Sequence, residues 1–136
     1  MTAGASGELF EHRLTHSAIG AFFNVYNALG FGFREHIYAL ALERELVAKG
    51  HNVDREVAVM VYYRGEPLAR QKLDLVVDGR LVLEVKATEH LPHNSTAQLF
   101  SYLCGTNMEV GLLLHFGRQP QFYRVVYENR LKHRNS

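Results

Sequence analysis

The sequence predicts an α/β domain in which helices flank a mixed β-sheet. Three observations carry this reading. Two amphipathic helical segments open the chain, aliphatic runs of period two follow, and one further helical segment divides the last two strand-like runs from the first three.

The elements follow in order. From Leu9 to Leu29, Leu14, Ala18, Phe22, Val25, Tyr26 and Leu29 recur at steps of three and four, the spacing of one helix face. "GFG" (30–32) ends that run. A second helix is expected from about Arg34 to Lys49, burying Ile37, Tyr38, Ala41, Leu42 and Leu46, with Gly50 as a left-handed cap. Val53, Val57, Val59 and Val61 then alternate as in a strand, with a break at Arg55, and "RGEP" turns the chain. Leu73–Val77 and Leu81–Ala87 read as two strands joined at Asp78-Gly79. "HNSTAQLFSYLCG" reads as a helix that opens near Asn94–Thr96 and stops at Gly105. "VGLLLHF" and "FYRVVY" complete the strands. Residues 1–127 are expected as one domain, and the polar, basic residues 128–136 as a loose tail.

Composition narrows the class without naming a function. The 136 residues suit a single domain, 47% of them are apolar and 21% charged, and no apolar run reaches the roughly 18 to 20 residues of a membrane span. A formal charge of +1 gives no global attraction to nucleic acid, so any such binding must come from a local patch. The opening "MTAGASGELFEHR" lacks the pattern of a secretory signal, and the single Cys104 fits a reducing compartment. A cytoplasmic protein that does not span a membrane is the expectation.

The chemistry concentrates in "LDLVVDGRLVLEVKA" (73–87), an aliphatic stretch that nevertheless carries Asp74, Glu84 and Lys86. A two-residue loop at Asp78-Gly79 would mix charge and aliphatics on both faces of the hairpin. A three-residue loop Val77-Asp78-Gly79, setting 76 opposite 80, instead gathers Leu73, Leu75, Leu81, Leu83 and Val85 on one face. Asp74, Val76, Val82, Glu84 and Lys86 then share the other. The second register is expected, because a buried face fixes register strongly. Paired carboxylates repel unless a cation lies between them. Lys86 supplies one positive charge, and a divalent ion held by oxygen ligands supplies more. The plainer alternative is a cross-strand salt bridge of Lys86 with Asp74 or Glu84.

Two further groups accompany the hairpin. Gln98 and Tyr102, four apart, share one face of the third helix, and Glu35 and Tyr38 begin the second helix just after "GFGF". Their plain readings are a solvent-facing glutamate and packed tyrosines. His90 and His93 lack a cysteine partner for a zinc site and read as a solvated loop. Cys104 reads as core, not nucleophile. Arg64, Arg70, Lys72, Arg80 and Arg118 read mainly as a solvated surface that could include a phosphate-facing rim.

"GFREHIY" (32–38) fits the signature of the GxxExxY protein family, and the chain resembles that family over roughly Leu9–Val126. The family in turn is similar to the PD-(D/E)XK nuclease superfamily, in particular its RecB-like and phage-exonuclease branch with a QxxxY motif. The matching pieces are Glu35, Asp74, "EVK" as Glu84, Val85 and Lys86, and "QLFSY" from Gln98 to Tyr102. Ser95 and His115 stand where members often carry histidine and asparagine. The resemblance implies a restriction-endonuclease-like core and cleavage of phosphodiester bonds with Mg²⁺ or Mn²⁺, on DNA rather than RNA. It implies metal ligation by Asp74, Glu84, the Val85 carbonyl and Glu35, a water-activating Lys86, and Gln98 and Tyr102 lining the site. The competing expectation is a non-catalytic module that binds nucleic acid or a protein on the same fold. In either case a homo-oligomer or a protein partner could complete the grip on a duplex.

Overall fold

Amphipathic periodicity at the start of the chain becomes helix α1 (His12–Leu29), which buries Leu14, Ala18, Ala21, Phe22 and Val25. The computed structural model describes residues 10–133, so Leu9 lies outside the described residues. Helix α2 (Glu35–Ala48) buries Tyr38, Leu42 and Leu46. Ile37, expected inside, is exposed, because a helix that turns Tyr38 inward rotates its neighbour away. Gly50 has φ +94. Its N–H donates to Val47 O and that of His51 to Leu46 O, the paired bonds that satisfy the last carbonyls of a helix.

The strands are β1 (Val53–Tyr63), β2 (Glu66–Val77), β3 (Leu81–Lys86), β4 (Val110–Phe116) and β5 (Pro120–Val126), with helix α3 (Ser95–Cys104) between β3 and β4. They form one five-stranded sheet in chain order. β3 and β4 are parallel and every other neighbouring pair is antiparallel, so the sheet is mixed as the element order predicted. The one parallel pair is the one that needs a crossover, and α3 supplies it.

Two cores flank the sheet. On one side α1 and α2 pack on Leu75, Val77, Leu81, Leu83, Val85, Leu112 and Leu114. On the other, Leu99, Tyr102 and Leu103 of α3 pack on Leu73, Val76, Val82 and Leu113. α3 lies so close to β4 that a Cβ on Gly111 would stand 2.7 Å from Leu99 Cδ1. Every residue of β4 is buried, as befits a strand covered on both faces.

Four local expectations need correction. The β2–β3 turn is Asp78-Gly79-Arg80, and Val77 pairs with Leu81, two positions away from the expected register. A shift of two preserves the faces of the hairpin, so Val76, Val82 and Glu84 still share one side. Leu73 does not join Leu75, because the strands switch faces between these residues. β2 begins at Glu66, well before Leu73, since its first residues are exposed and pair only with the far end of β1. An exposed ribbon carries no apolar periodicity by which to recognise it. Finally, residues 128–133 are not a loose tail: Asn129–Leu131 form a 3₁₀ turn, and the buried Lys132 donates to Thr106 O and Met108 O.

Candidate active site

The switch of faces in β1 and β2 creates the site. Glu56 of β1 has φ +54, a left-handed conformation unusual for a residue with a side chain, and ladder pairing lapses there between Arg55↔Leu75 and Val57↔Leu73. On the other edge of β2, regular pairing with β3 stops at Leu75↔Leu83. Beyond it the Val85 N–H donates to Asp74 Oδ2 at 2.8 Å. The strands part around Asp74, and a cleft of about 170 Å³ opens, with Glu35, Arg55, Glu56, Lys72, Asp74 and Val85 among its walls.

Glu84, next to Val85 in β3, is 4% exposed. Burial raises its pKa first, the neighbouring Asp74 charge raises it further, and Lys86 opposes both, leaving the carboxyl pushed up to about 8. Glu84 Oε2 lies 3.5 Å from Lys86 Nζ, while Oε1 is buried with no hydrogen-bond partner among the described residues. Lys86 Nζ also donates to Gln98 Oε1 at 3.1 Å. The salt bridge proposed from sequence therefore exists, yet it leaves one carboxylate oxygen unsatisfied.

Glu35 reaches the cleft from the first turn of α2. Partial burial raises its pKa, Lys86 lowers it and Asp74 raises it, so the three charged groups sense one another. The preceding loop explains this placement. Gly32 has φ +122, a region open to glycine. The buried Tyr38 donates from its hydroxyl to Gly30 O at 2.5 Å, accepts from the Phe33 N–H at 3.2 Å, and stacks on Phe116 at 4.0 Å. Glycine, glutamate and tyrosine at this spacing thus fold the loop, present the carboxylate and lock the loop down.

From the opposite layer, α3 contributes Gln98 and Tyr102. Tyr102 is nearly buried, and its hydroxyl is pushed up to about 12, first by burial and then by the charges of Glu84 and Asp74. It stays a neutral phenol beside two carboxyls. Glu35, Asp74, Glu84, Val85, Lys86, Gln98 and Tyr102, dispersed over 68 residues of sequence, converge on one region from α2, β2, β3 and α3.

The donor set suits a hard divalent cation. It offers two adjacent carboxyls that repel, one of them with an orphaned buried oxygen, and a third carboxyl at the mouth. No three acidic, histidine or cysteine side chains among the described residues are gathered into a ready-made cage. That matches a Mg²⁺-type site, in which one or two carboxylates act with water and substrate phosphate.

Sequence reasoning missed Glu56 and Arg55 as walls of the cleft. Arg55 is braced by Glu43 at 2.9 Å and Lys72 by Glu56 at 3.3 Å. The break in alternation at Arg55 was the available signal. Cys104, expected in the core, is exposed at the end of α3. His90 and His93 are exposed, and Arg80 and Arg118 are ion-paired to Glu11 and Glu89. No helix among the described residues is long and apolar enough to cross a membrane.

Comparison with known proteins gives one family and one fold. A family model described as the PD-(D/E)XK nuclease superfamily matches residues 12–125. The crystal structure of SSO0001 superposes with a TM-score of 0.56 at 20% identity, over 88% of this chain and 60% of that one. At that identity the likeness concerns the fold, and this chain spans about three fifths of the other's length. No curated protein matches the chain.

Proposed function

Since the chain belongs to the PD-(D/E)XK nuclease superfamily, we propose that it hydrolyses phosphodiester bonds, in DNA rather than RNA, with Mg²⁺ or Mn²⁺. The carrying observation is the buried, unpartnered Oε1 of Glu84 beside Asp74, with Lys86 next to Glu84 and anchored by Gln98. Asp74, Glu84, the Val85 carbonyl and Glu35, directly or through water, are assigned to the ion. Bound there, the ion would polarise the phosphate, offset charge as the transition state develops and acidify water.

The chain's own groups do the rest. Asp74 is oriented by the Val85 N–H, which leaves its other oxygen for ligation. Lys86, anchored by Gln98, positions and activates the attacking water. Tyr102 remains protonated across the working range and so offers a donor to Glu84 or to a phosphate oxygen. Glu84 must lose its proton to act as a ligand, and a divalent ion favours that loss.

The test is cleavage of labelled single- and double-stranded DNA and of RNA with Mn²⁺, comparing the native chain, Asp74→Ala and added chelator. Cutting of DNA that both controls abolish supports the reading. Failure of the folded native chain to cut any substrate, with salt-dependent DNA binding retained, would instead favour a binding module.

A further inference from the structure

β1 is an edge of the sheet, and β2 pairs with β3 only over Leu75–Val77. Beyond the kink at Glu56 the two strands therefore run on as a two-stranded ribbon, residues 58–63 and 66–72. The faces of this ribbon differ. Val57 and Val59 pack with Leu73 in the α3 core, and the Gln71 amide donates to Ser101 Oγ of α3 at 2.7 Å, so α3 backs one face. The register sets Ala58 opposite Lys72 and Met60 opposite Arg70, and after the shift at Val61/Tyr62 it sets Tyr63 opposite Glu66. These residues and Leu68 alternate with the backed ones and make up the open face.

The open face is continuous with the cleft. Lys72 is one of the cleft walls, and Arg70 lies four residues from Asp74, roughly 13 Å along the strand. Residues 58–72 hold three cations, Arg64, Arg70 and Lys72, against one carboxylate, Glu66. Glu56 pairs with Lys72 at 3.3 Å, but the exposed Arg70 guanidinium has no ion pair or hydrogen-bond partner among the described residues. At the tip, Arg64 and Gly65 have φ +51 and +80, the left-handed pair of a tight hairpin turn. The Arg64 guanidinium lies 5.2 Å from the Tyr63 ring centre. Tyr63 is 52% exposed and Leu68 67%, far more than packing within this chain would leave.

We propose that the open face of this ribbon is a DNA-binding arm, along which the strand cut in the cleft passes from Lys72 to Arg70. The nature of the partner rests on the nuclease reading. Cations two residues apart on a strand lie about 6.6 Å from each other, close to two of the roughly 3.4 Å steps of one DNA strand. Lys72 and Arg70 thus match phosphates two nucleotides apart on a strand laid along the ribbon. Tyr63 and Leu68 add an aromatic and an apolar surface beside them, the combination used by grooves that track a nucleic-acid backbone. A second copy of the chain is the rival occupant. Two such faces would set like charge against like, so charge complementarity favours a polyanion.

The test is binding of labelled single-stranded and duplex DNA by the metal-free native chain, followed by fluorescence anisotropy over a series of salt concentrations. Arg70→Gln should bind about 5- to 8-fold more weakly at about 0.1 M salt. The slope of log affinity against log salt should be shallower by roughly 0.7 to 0.9, the share of one phosphate contact. Arg130→Gln, which removes an exposed cation outside the ribbon, should change neither. An Arg70→Gln chain that binds like the native one, or equal losses in both variants, would overturn the proposal. So would a native chain that binds no DNA, or a dimer of the free chain that Leu68→Gln dissociates, which would give the face to a second copy. Cutting is measured separately on the same preparations. Binding that depends on Arg70 without metal-dependent cutting would sink the nuclease reading alone, and cutting with an indifferent Arg70 would sink only the arm.

Discussion

The backbone N–H of Val85 donates to the carboxylate of Asp74 across 2.8 Å, in the place where regular pairing of β2 with β3 has just stopped. One side chain thus both continues the ladder and stands beside Glu84. The two tasks separate in Asp74→Asn, which keeps an oxygen acceptor for Val85 and loses the charge. Above pH 8, where Glu84 is ionised, metal-free Asp74→Asn should be as stable as the native chain or more so, because relief of repulsion with Glu84 outweighs a weakened hydrogen bond. Metal-dependent cutting should fall roughly 10²- to 10⁴-fold, the equivalent of several kcal/mol of lost transition-state stabilisation. Urea unfolding and a cleavage assay on the same preparation check both halves. A variant that unfolds more easily and also cuts poorly would mean that Asp74 matters mainly to the fold.

Glu84 sets a pH dependence opposite to that of an ordinary surface carboxylate. Its folded pKa of about 8 lies above the unfolded value near 4.3, so between those limits the folded state binds more protons. Stability of the metal-free chain should therefore decline as pH rises from about 4.5 to about 8 and level off above it. Glu84→Gln should flatten that decline, and at pH 8 it should be more stable by on the order of 1 to 3 kcal/mol, the scale for an unsatisfied buried polar group. Binding of Mn²⁺ should release a proton below pH 8, measurable by calorimetry in buffers of different ionisation enthalpy. Uptake without proton release at pH 6.5 would place the ion elsewhere.

Lys86 and Gln98 are joined at 3.1 Å, so their variants should be linked but unequal. Lys86→Ala should lower the cleavage rate by about 10² to 10⁴ if the amine acts on the attacking water. Gln98→Ala leaves the amine in place but loosely held, and it should cost less. The double variant should be no worse than Lys86→Ala, because Gln98 acts through the lysine. Single-turnover rates decide, and additive losses would give Gln98 a separate contact with substrate.

The faces of the β2–β3 hairpin were legible from its sequence because alternation of aliphatics and charge survives a register error of two residues. Glu84 kept its place beside Val76 and Val82 although the turn moved to 78–80. What alternation could not show was the kink at Glu56, where backbone conformation changes with no glycine to announce it. Leu73 was assigned to the wrong core for that reason, and Arg55 and Glu56 were not recognised as walls of the cleft. Motifs read as strings found the charged groups, while the cavities between them required coordinates.

A second ionic cluster, away from the cleft, governs acid stability. Asp78 Oδ2 lies 2.7 Å from His51 Nδ1, Asp78 Oδ1 accepts from the Asn52 N–H, and His51 Nε2 lies 2.7 Å from the Ser17 hydroxyl. Ser17 sits within α1, where backbone N–H groups are committed to the helix, so this chain of groups serves as a clasp between α1 and the β2–β3 turn. Burial raises the Asp78 pKa, but the Asn52 N–H, His51 and Arg80 outweigh it and the net shift is downward. Its contribution is thus present above the unfolded value near 3.9 and lost as pH falls through the lower folded value. Asp78→Asn should lose stability at pH 6 and show a shallower acid decline below pH 4. Parallel acid unfolding curves for the two chains would remove the clasp from the account.

Tyr38 offers the sharpest test of how the loop serves the site. Its hydroxyl donates to Gly30 O and accepts from the Phe33 N–H, while its ring stacks on Phe116. Tyr38→Phe keeps the stack and removes both hydrogen bonds, which should cost about 1 to 2 kcal/mol. Glu35 follows this loop at the first turn of α2, so a looser loop should spread its carboxylate over more positions. Cutting should fall by a factor of about 3 to 10, a fraction of the loss from removing a ligand. The Phe33 amide should exchange with solvent faster, whereas Val85, tied to Asp74 on the far wall, should keep its protection. Unchanged exchange at Phe33 alongside reduced cutting would mean that Tyr38 acts on the site by another route than the loop.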